Sequence, residues 1–563
     1  MIPTSSPRVR LADRHWFVRL LEIIPGFVSW SALILPIILS FFAPILVAYF
    51  IIAFDLYWLI KSLRLSTNLV RGYRRLHVYQ RLDWAKRLDW LHDPQAELTK
   101  AHQATEAFLE LYPKAGRLIP IGDPMARRKF NILRLNERLI TYLDSHSRTL
   151  LDPNEIYHAV ILATYNESRD ILEPSIRALT EVDYPLNRMI LILAYEERGG
   201  QDTEANARAL IEEYGHHFFM ARAVKHPDGI AGEVQGKGGN ITYAGRYLTE
   251  EVRKLDLDPS QIVVTTFDSD HRASINYFSY LTYMYASDPN RERKSFQPIP
   301  MFYNNIWDAP APMRVIATGN SFWLLMETMR PHRLRNFAAH SQSLAALIVT
   351  DYWSVTTIVE DGHQFWRTYF AYDGDHEVVP IYTPIYQDAV LAGTTMATFV
   401  AQYKQLRRWA WGVSDFQFAV RNSMKNNRIA LSNKLVQIGR LFEGHFSWAT
   451  ASITITAVAW LPLYLNHNFS YETLAHELPI ITSHIMQLAS VGLIITVFIS
   501  MISLPPRPKH YRRTRSVWMV LQWALLPVTS IIFGSFAALD AQTRLMMGKY
   551  LGFYVTDKVA KKK

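Results

Sequence analysis

Ile262-Val-Val-Thr-Thr-Phe267, followed at once by Asp268-Ser-Asp270-His271, is the stretch that decides the fold of this 563-residue chain. An unbroken β-favouring run reads as a strand buried on both faces, and the abrupt acidic turn marks its carboxyl end. Two further runs have the same form: His158-Ala-Val-Ile-Leu-Ala-Thr164 before Tyr165-Asn-Glu167, and Met189-Ile-Leu-Ile-Leu-Ala194 before Tyr195-Glu196-Glu197. Helical segments separate them across 150–425, so the expected class is α/β with a mostly parallel sheet. Ligands of such sheets bind beyond the carboxyl ends of the strands, so the polar residues at these ends should meet in one crevice. No Walker-type phosphate loop or dinucleotide glycine fingerprint stands at any of them.

Asp268 and Asp270 are one residue apart, a spacing that a strand end, unlike a helix face, can aim at one hard cation. With His271 they form an oxygen-and-imidazole set suited to Mg²⁺ or Mn²⁺, although such triplets also serve as solvated loop charges or helix caps. Gly236-Lys237-Gly-Gly-Asn240 sets a lysine among glycines, which allows close backbone approach to a diphosphate, or simply a turn. Ile358-Val-Glu-Asp361 offers paired acids, of which Asp361 could take a proton from a hydroxyl, or cap a helix. Gln405-Leu-Arg-Arg408-Trp409 combines a guanidinium for phosphate with an indole for a sugar face, and reads equally as the anchor of an interfacial helix.

Composition sets the surroundings. The chain is 49% hydrophobic and 20% charged, has no cysteine, and carries 60 basic against 50 acidic residues. Disulfides, cysteine metal sites and a cysteine nucleophile are therefore excluded. From Phe27 to Ile60 the only ionisable side chain is Asp55, a length that fits two short crossings with a turn near 40–44 better than one crossing or a signal peptide. Basic residues flank this block (Arg8, Arg10, Arg14 and Arg19 before it, Lys61, Arg64 and Arg71 after it), placing both its ends in the cytoplasm. Phe446–Leu465, Leu478–Leu504 and Val517–Leu539 are further candidate spans; the connector 505–516 carries Arg507, Lys509, Arg512, Arg513 and Arg515 and reads as inside.

In chain order, TYNE at 164–167, GKGGN at 236–240, DSDH at 268–271, VED at 359–361 and QLRRW at 405–409 resemble the signature series of the processive family 2 glycosyltransferases, which include cellulose, chitin and hyaluronan synthases. The resemblance covers roughly 150–425 and the membrane layout. It implies a cytoplasmic nucleotide-diphospho-sugar transferase domain of glycosyltransferase type A, inserted between N- and C-terminal transmembrane helices of the plasma (inner) membrane. It also implies Tyr165 and Glu167 at the nucleotide base, Lys237 and Asn240 at the diphosphate, and Asp268, Asp270 and His271 around Mg²⁺ or Mn²⁺. Asp361 would be the general base of an inverting displacement, with Gln405, Arg408 and Trp409 holding diphosphate and acceptor. Glu196 stands near where the family has an aspartate against the base, Val359 where it has threonine, and Thr318-Gly-Asn-Ser321 resembles its acceptor loop. Phe553-Tyr-Val-Thr556-Asp-Lys558 looks like the cellulose synthase gating loop, with Asp557 in place of proline.

A gating loop requires a cytoplasmic tail, so Val517–Leu539 would then be re-entrant or kinked at Pro527 and Gly534; otherwise the match is coincidental or another span is misplaced. The expected parts are a membrane hairpin (1–62), a helical connector (63–150), the catalytic domain (151–395), an interfacial region (396–440), a C-terminal transmembrane region (441–540) and a basic tail (541–563). Expected partners are a nucleotide sugar, a UDP-sugar first, a glycan or lipid-linked acceptor, and membrane lipid; no nucleic-acid module is present. Beside a processive polymerase stand two alternatives: a single-addition transferase acting on a lipid-linked acceptor, and a non-catalytic membrane scaffold or glycan-binding subunit.

Overall fold

A computed structural model describes residues 15–112 and 123–553. At its centre is an eight-stranded sheet in the order β3-β2-β1-β4-β7-β6-β8-β5. The strands are β1 Tyr157–Thr164, β2 Met189–Glu196, β3 Met220–His226, β4 Ile262–Asp268, β5 Arg272–Ala273, β6 Lys294–Met301, β7 Ser341–Ser343 and β8 Glu377–Tyr386. β3, β2, β1 and β4 are mutually parallel, whereas β7 runs antiparallel to β4 and β6, so the sheet is mixed. The three runs read from sequence are β1, β2 and β4 to within two residues, and Glu196 proves to be the last residue of β2 itself.

Two-residue periodicity explains why both faces are covered. Val160, Leu162, Leu191, Leu193 and Phe267 point into one core, while Ala159, Ile161, Ile190, Ile192 and Val264 point into another, against Ile241, Ala244 and Leu248 of the helix Lys237–Lys254. Each fully buried aliphatic side chain contributes roughly 1.5–3 kcal/mol, which fixes the register firmly. Chain order reverses between β1 and β4, where Ala163 pairs with Asp268, so the switch-point crevice opens at the DSDH turn.

Helix α1 (Trp16–Phe42) and helix α2 (Pro44–Tyr79) meet at Ala43. α2 continues well past residue 62 and reaches the domain, where Arg75 donates to Tyr382 at 3.0 Å. Four helical segments among the described residues are long and apolar enough to cross a membrane: α1, α2, Thr473–Ser503 and Thr514–Met546. The stretch 446–465 is different: it is the end of the helix Leu431–Ala457, followed by a 3₁₀ turn and the short helix Leu461–Leu465. The polar first half of that helix packs on the α/β domain through Arg333–Glu443 and Arg335–Gln437.

Thr514–Met546 lies along the α/β domain. Arg515 donates to the Trp307 carbonyl at 3.0 Å, Arg314 to Gln522 at 2.5 Å and Arg407 to Asp540 at 2.7 Å. Met519, Phe533 and Ala537 are buried with Phe302, Trp307 and Leu406. At the far end Arg19, in the first turn of α1, donates to the Leu545 and Met546 carbonyls. The opposite end of α1, at Phe41, meets Asn466 instead. Both ends of 514–546 therefore sit on the side of the helix pack that carries the α/β domain. Within the segment Pro527 stands in the first turn of the helix Leu526–Thr529, and a π-helical turn, Ser530–Ser535, contains Gly534.

Candidate active site

Lys237 is the first residue of its helix, aimed at the end of β4. Its Nζ lies 2.6 Å from Asp268 Oδ1. Burial alone would push this ammonium down, but the carboxylates of Asp268, Asp361 and Glu360 outweigh it and hold the group above the usual lysine range. The glycines around it are required by close approach. A Cβ at Gly238 would stand 2.4 Å from the Ser354 carbonyl and 3.3 Å from the Glu360 Cβ, and one at Gly236 would stand 3.0 Å from the Phe553 ring.

Glu360 and Asp361 open the helix Glu360–Ala371, but neither caps it by a side-chain bond; the N-cap is Val359. Asp361 is half-buried, whereas Glu360 is only 2% exposed. Burial and the neighbouring Asp361 charge push the Glu360 carboxyl up to about 8, against the pull of Lys237 and Arg408. Arg408, on the helix Thr395–Ala410, lies over the Phe553 ring at 4.9 Å. Lys237, Asp268, Glu360, Asp361 and Arg408, drawn from four separate motifs, thus share one site at the switch point.

The other expected residues have the following partners in the structure. The Asn240 amide is buried and donates to the carbonyls of Ala194 (2.9 Å) and Thr164 (3.3 Å), so it ties the ends of β2 and β1 together. Glu167 accepts from Thr164 Oγ1 and the Tyr165 N–H, closing the turn after β1. His271 Nδ1 accepts the Asp268 N–H at 3.1 Å, which puts the neutral ring's proton on Nε2, 3.6 Å from Asp268 Oδ2. His271 thereby braces Asp268. Asp270 accepts the Asp388 N–H through Oδ2 at 2.8 Å. Gln405 accepts from Gln402 on its own helix, and Trp409 packs beside the Met519–Phe533 cluster. Thr318–Ser321 lies inside the helix Ala311–Glu327, not in a loop. Thr556 lies outside the described residues, as does the rest of its motif after Phe553.

Among the described residues no three His, Asp or Glu side chains converge in metal-ligand geometry. The donor chemistry of the β4 turn nonetheless suits a divalent cation: Asp268, whose side chain is 37% exposed, already holds one positive charge from Lys237, and Asp270 follows two residues on. Two carboxylates leave the remaining positions of a hard ion to water and phosphate oxygens.

Two contributors were not legible beforehand. Arg198 pairs with Glu196 and lies over the Tyr165 ring at 4.2 Å, so Tyr165, Glu196 and Arg198 form one unit at the ends of β1 and β2. The basic residue following Glu196-Glu197 was its only signal. Trp411, rather than Trp409, shares a buried cluster with Ile358 and Leu551, with Val359 and Phe553 packed against it.

The chain matches no protein-family model and no curated protein. It is similar to solved structures of low identity. Mannosyltransferase PcManGT from Pyrobaculum calidifontis, in complex with GDP-Man and Mn²⁺, is 13% identical at a TM-score of 0.39, over 81% of this chain and 100% of that one. S. aureus TarS 1-349 in complex with UDP-GlcNAc is 14% identical at a TM-score of 0.35, over 71% and 95%. GalNAc-T7 with UDP, GalNAc and Mn²⁺ is 9% identical at a TM-score of 0.33, over 52% and 58%.

Proposed function

We propose that this chain is a membrane-embedded inverting glycosyltransferase that uses a nucleotide-diphosphate sugar to extend a glycan. The observation that carries the reading is the meeting of Lys237, Asp268, Glu360, Asp361 and Arg408 at the switch point. Tyr165, with Arg198 over its ring, receives the base, and Lys237 and Arg408 face the diphosphate. Asp361 accepts the proton of the acceptor hydroxyl as that oxygen attacks the anomeric carbon and the nucleoside diphosphate departs. The two cations stabilise charge developing on the leaving group. Asp268 and Asp270 would hold Mg²⁺ or Mn²⁺, which when bound supplies Lewis-acid neutralisation of the same phosphates.

The finer assignment is to the processive family 2 enzymes of the cellulose, chitin and hyaluronan synthase type, in the plasma membrane with the α/β domain cytoplasmic. Five motifs in family order support it, as does the packing of Phe553 against Gly236 and Arg408, where a gating segment would cover the site. Incubating the detergent-purified protein with labelled donor and sizing the product tests it. Long chains in donor excess are expected; single additions only would replace the synthase with the lipid-acceptor transferase.

A further inference from the structure

Lys61 is the first basic residue of α2 after the apolar stretch that ends at Ile60. Its Nζ lies 4.3 Å from the centre of the Trp58 ring and 2.6 Å from Glu443 Oε1, to which Tyr57 also donates at 3.0 Å. An ammonium beside two amphipathic rings marks the level of the lipid headgroups. Glu443 is fully engaged there, because its other carboxylate oxygen holds Arg333 at 2.7 Å. Arg330 pairs with Glu327, and Arg440 donates to the His332 carbonyl at 2.7 Å, which brings it beside Arg333.

The charges of this cluster do not balance. Lys61, Arg64, Arg330, Arg333, Arg335 and Arg440 surround two acids, Glu327 and Glu443. Neither Arg64 nor Arg440 is in an ion pair among the described residues. After burial, the charges of Arg440, Arg333, Arg330 and Arg64 hold His332 below the usual histidine range, and burial followed by the Arg333 charge lowers Arg440. Cations packed this closely repel one another, and an anion from outside the chain relieves that repulsion. Tyr57, Ile60 and Arg64 recur at i, i+3 and i+7 on one exposed face of α2, so lipid-facing apolar surface runs directly into the uncompensated arginines.

We propose that Arg64, Arg333 and Arg440 form a site for the phosphate of an anionic lipid, in the leaflet on the side of the α/β domain. Guanidinium groups suit it because each presents paired N–H donors to phosphate oxygens. A free phosphate would leave the adjoining face of Tyr57 and Ile60 unused, whereas a lipid lays its chains there and its headgroup on the arginines. Arg64 belongs to α2, Arg333 to a turn of the α/β domain, and Arg440 to the helix Leu431–Ala457 packed on that domain. One headgroup therefore ties the domain to the membrane at the point where α2 emerges.

The test is native mass spectrometry of the full-length protein released from micelles that hold equal phosphatidylglycerol and phosphatidylcholine. Wild type should retain phosphatidylglycerol in preference, and Arg64→Gln and Arg440→Gln should each lower that retention about 5-fold, the weight of one basic residue at an anionic leaflet. Lys509→Gln combined with Arg513→Gln, in the other basic connector, should leave it unchanged. Arg64 is exposed, so its substitution spares the fold; Tm in neutral detergent should match wild type, and added phosphatidylglycerol should raise the Tm of wild type more than that of Arg64→Gln. Equal loss in the Lys509 and Arg513 variant would reduce the effect to general attraction by basic surface and overturn the site. Phosphatidylglycerol held no better than phosphatidylcholine would overturn it as well, and displacement by millimolar inorganic phosphate would make it a site for free anions instead. The readout uses no sugar donor or acceptor, so its failure is separable from failure of the transferase reading.

Discussion

Glu360 and Asp361 are chain neighbours with opposite environments, and that difference assigns their roles. Asp361 is half-buried beside the Lys237 ammonium, so it can meet a substrate; Asp361→Asn should lower transfer by about 10²–10⁴-fold, the usual weight of a general base, while nucleotide binding by calorimetry stays intact. Loss of binding in step with turnover would assign Asp361 to structure instead. Glu360 is sealed, with its carboxyl raised from 4.5 to about 8. Between those values the folded state keeps a proton that the unfolded chain has lost, so this group's contribution to stability falls as pH rises through that window. Glu360→Gln mimics the protonated form. Its Tm should match wild type near pH 5 and exceed it by pH 8, and parallel melting curves from pH 5 to 9 would remove Glu360 from the account.

At the scale of elements, the GKGG turn is governed by backbone clearance. Because a Cβ at Gly238 would stand 2.4 Å from the Ser354 carbonyl, Gly238→Ala must separate the helix Lys237–Lys254 from the chain before Glu360. The expected result is roughly 1–3 kcal/mol of destabilisation together with weaker nucleotide affinity, read by denaturation and titration; a neutral variant would show that this approach is loose. This level also shows what the sequence could reveal. Continuous apolar runs marked β1, β2 and β4 because buried parallel strands need no polar face, and acidic strand ends marked the crevice. What Asn240 and His271 bond was not legible, because a motif gives residue type but not the side chain's partner, and both bond backbone. Arg198 and Trp411 reach the site only through folding.

Across the whole molecule, the segment 514–546 decides topology. Hydropathy alone makes it a span, yet hydrogen bonds involving Arg515, Arg314 and Arg407 hold it along the α/β domain, and Arg19 of α1 holds its far end. Because the native chain has no cysteine, single introduced cysteines report sidedness cleanly. His467→Cys should react with an impermeant maleimide in intact cells, whereas Lys509→Cys and Met547→Cys should react only after permeabilisation. Labelling of Met547→Cys from outside would make 514–546 a true crossing and take Phe553 away from the site. A cytoplasmic tail instead keeps donor motifs, base and Phe553 on one side of the membrane.

The most direct test is release of nucleoside diphosphate by the detergent-purified protein against a panel of nucleotide sugars with Mg²⁺ or Mn²⁺, beside Asp268→Ala and Asp361→Asn. The account predicts metal-dependent release from one donor, abolished or nearly so in both variants. Release unaffected by either substitution, or no release from any donor when acceptor glycans and lipid are supplied, would contradict it.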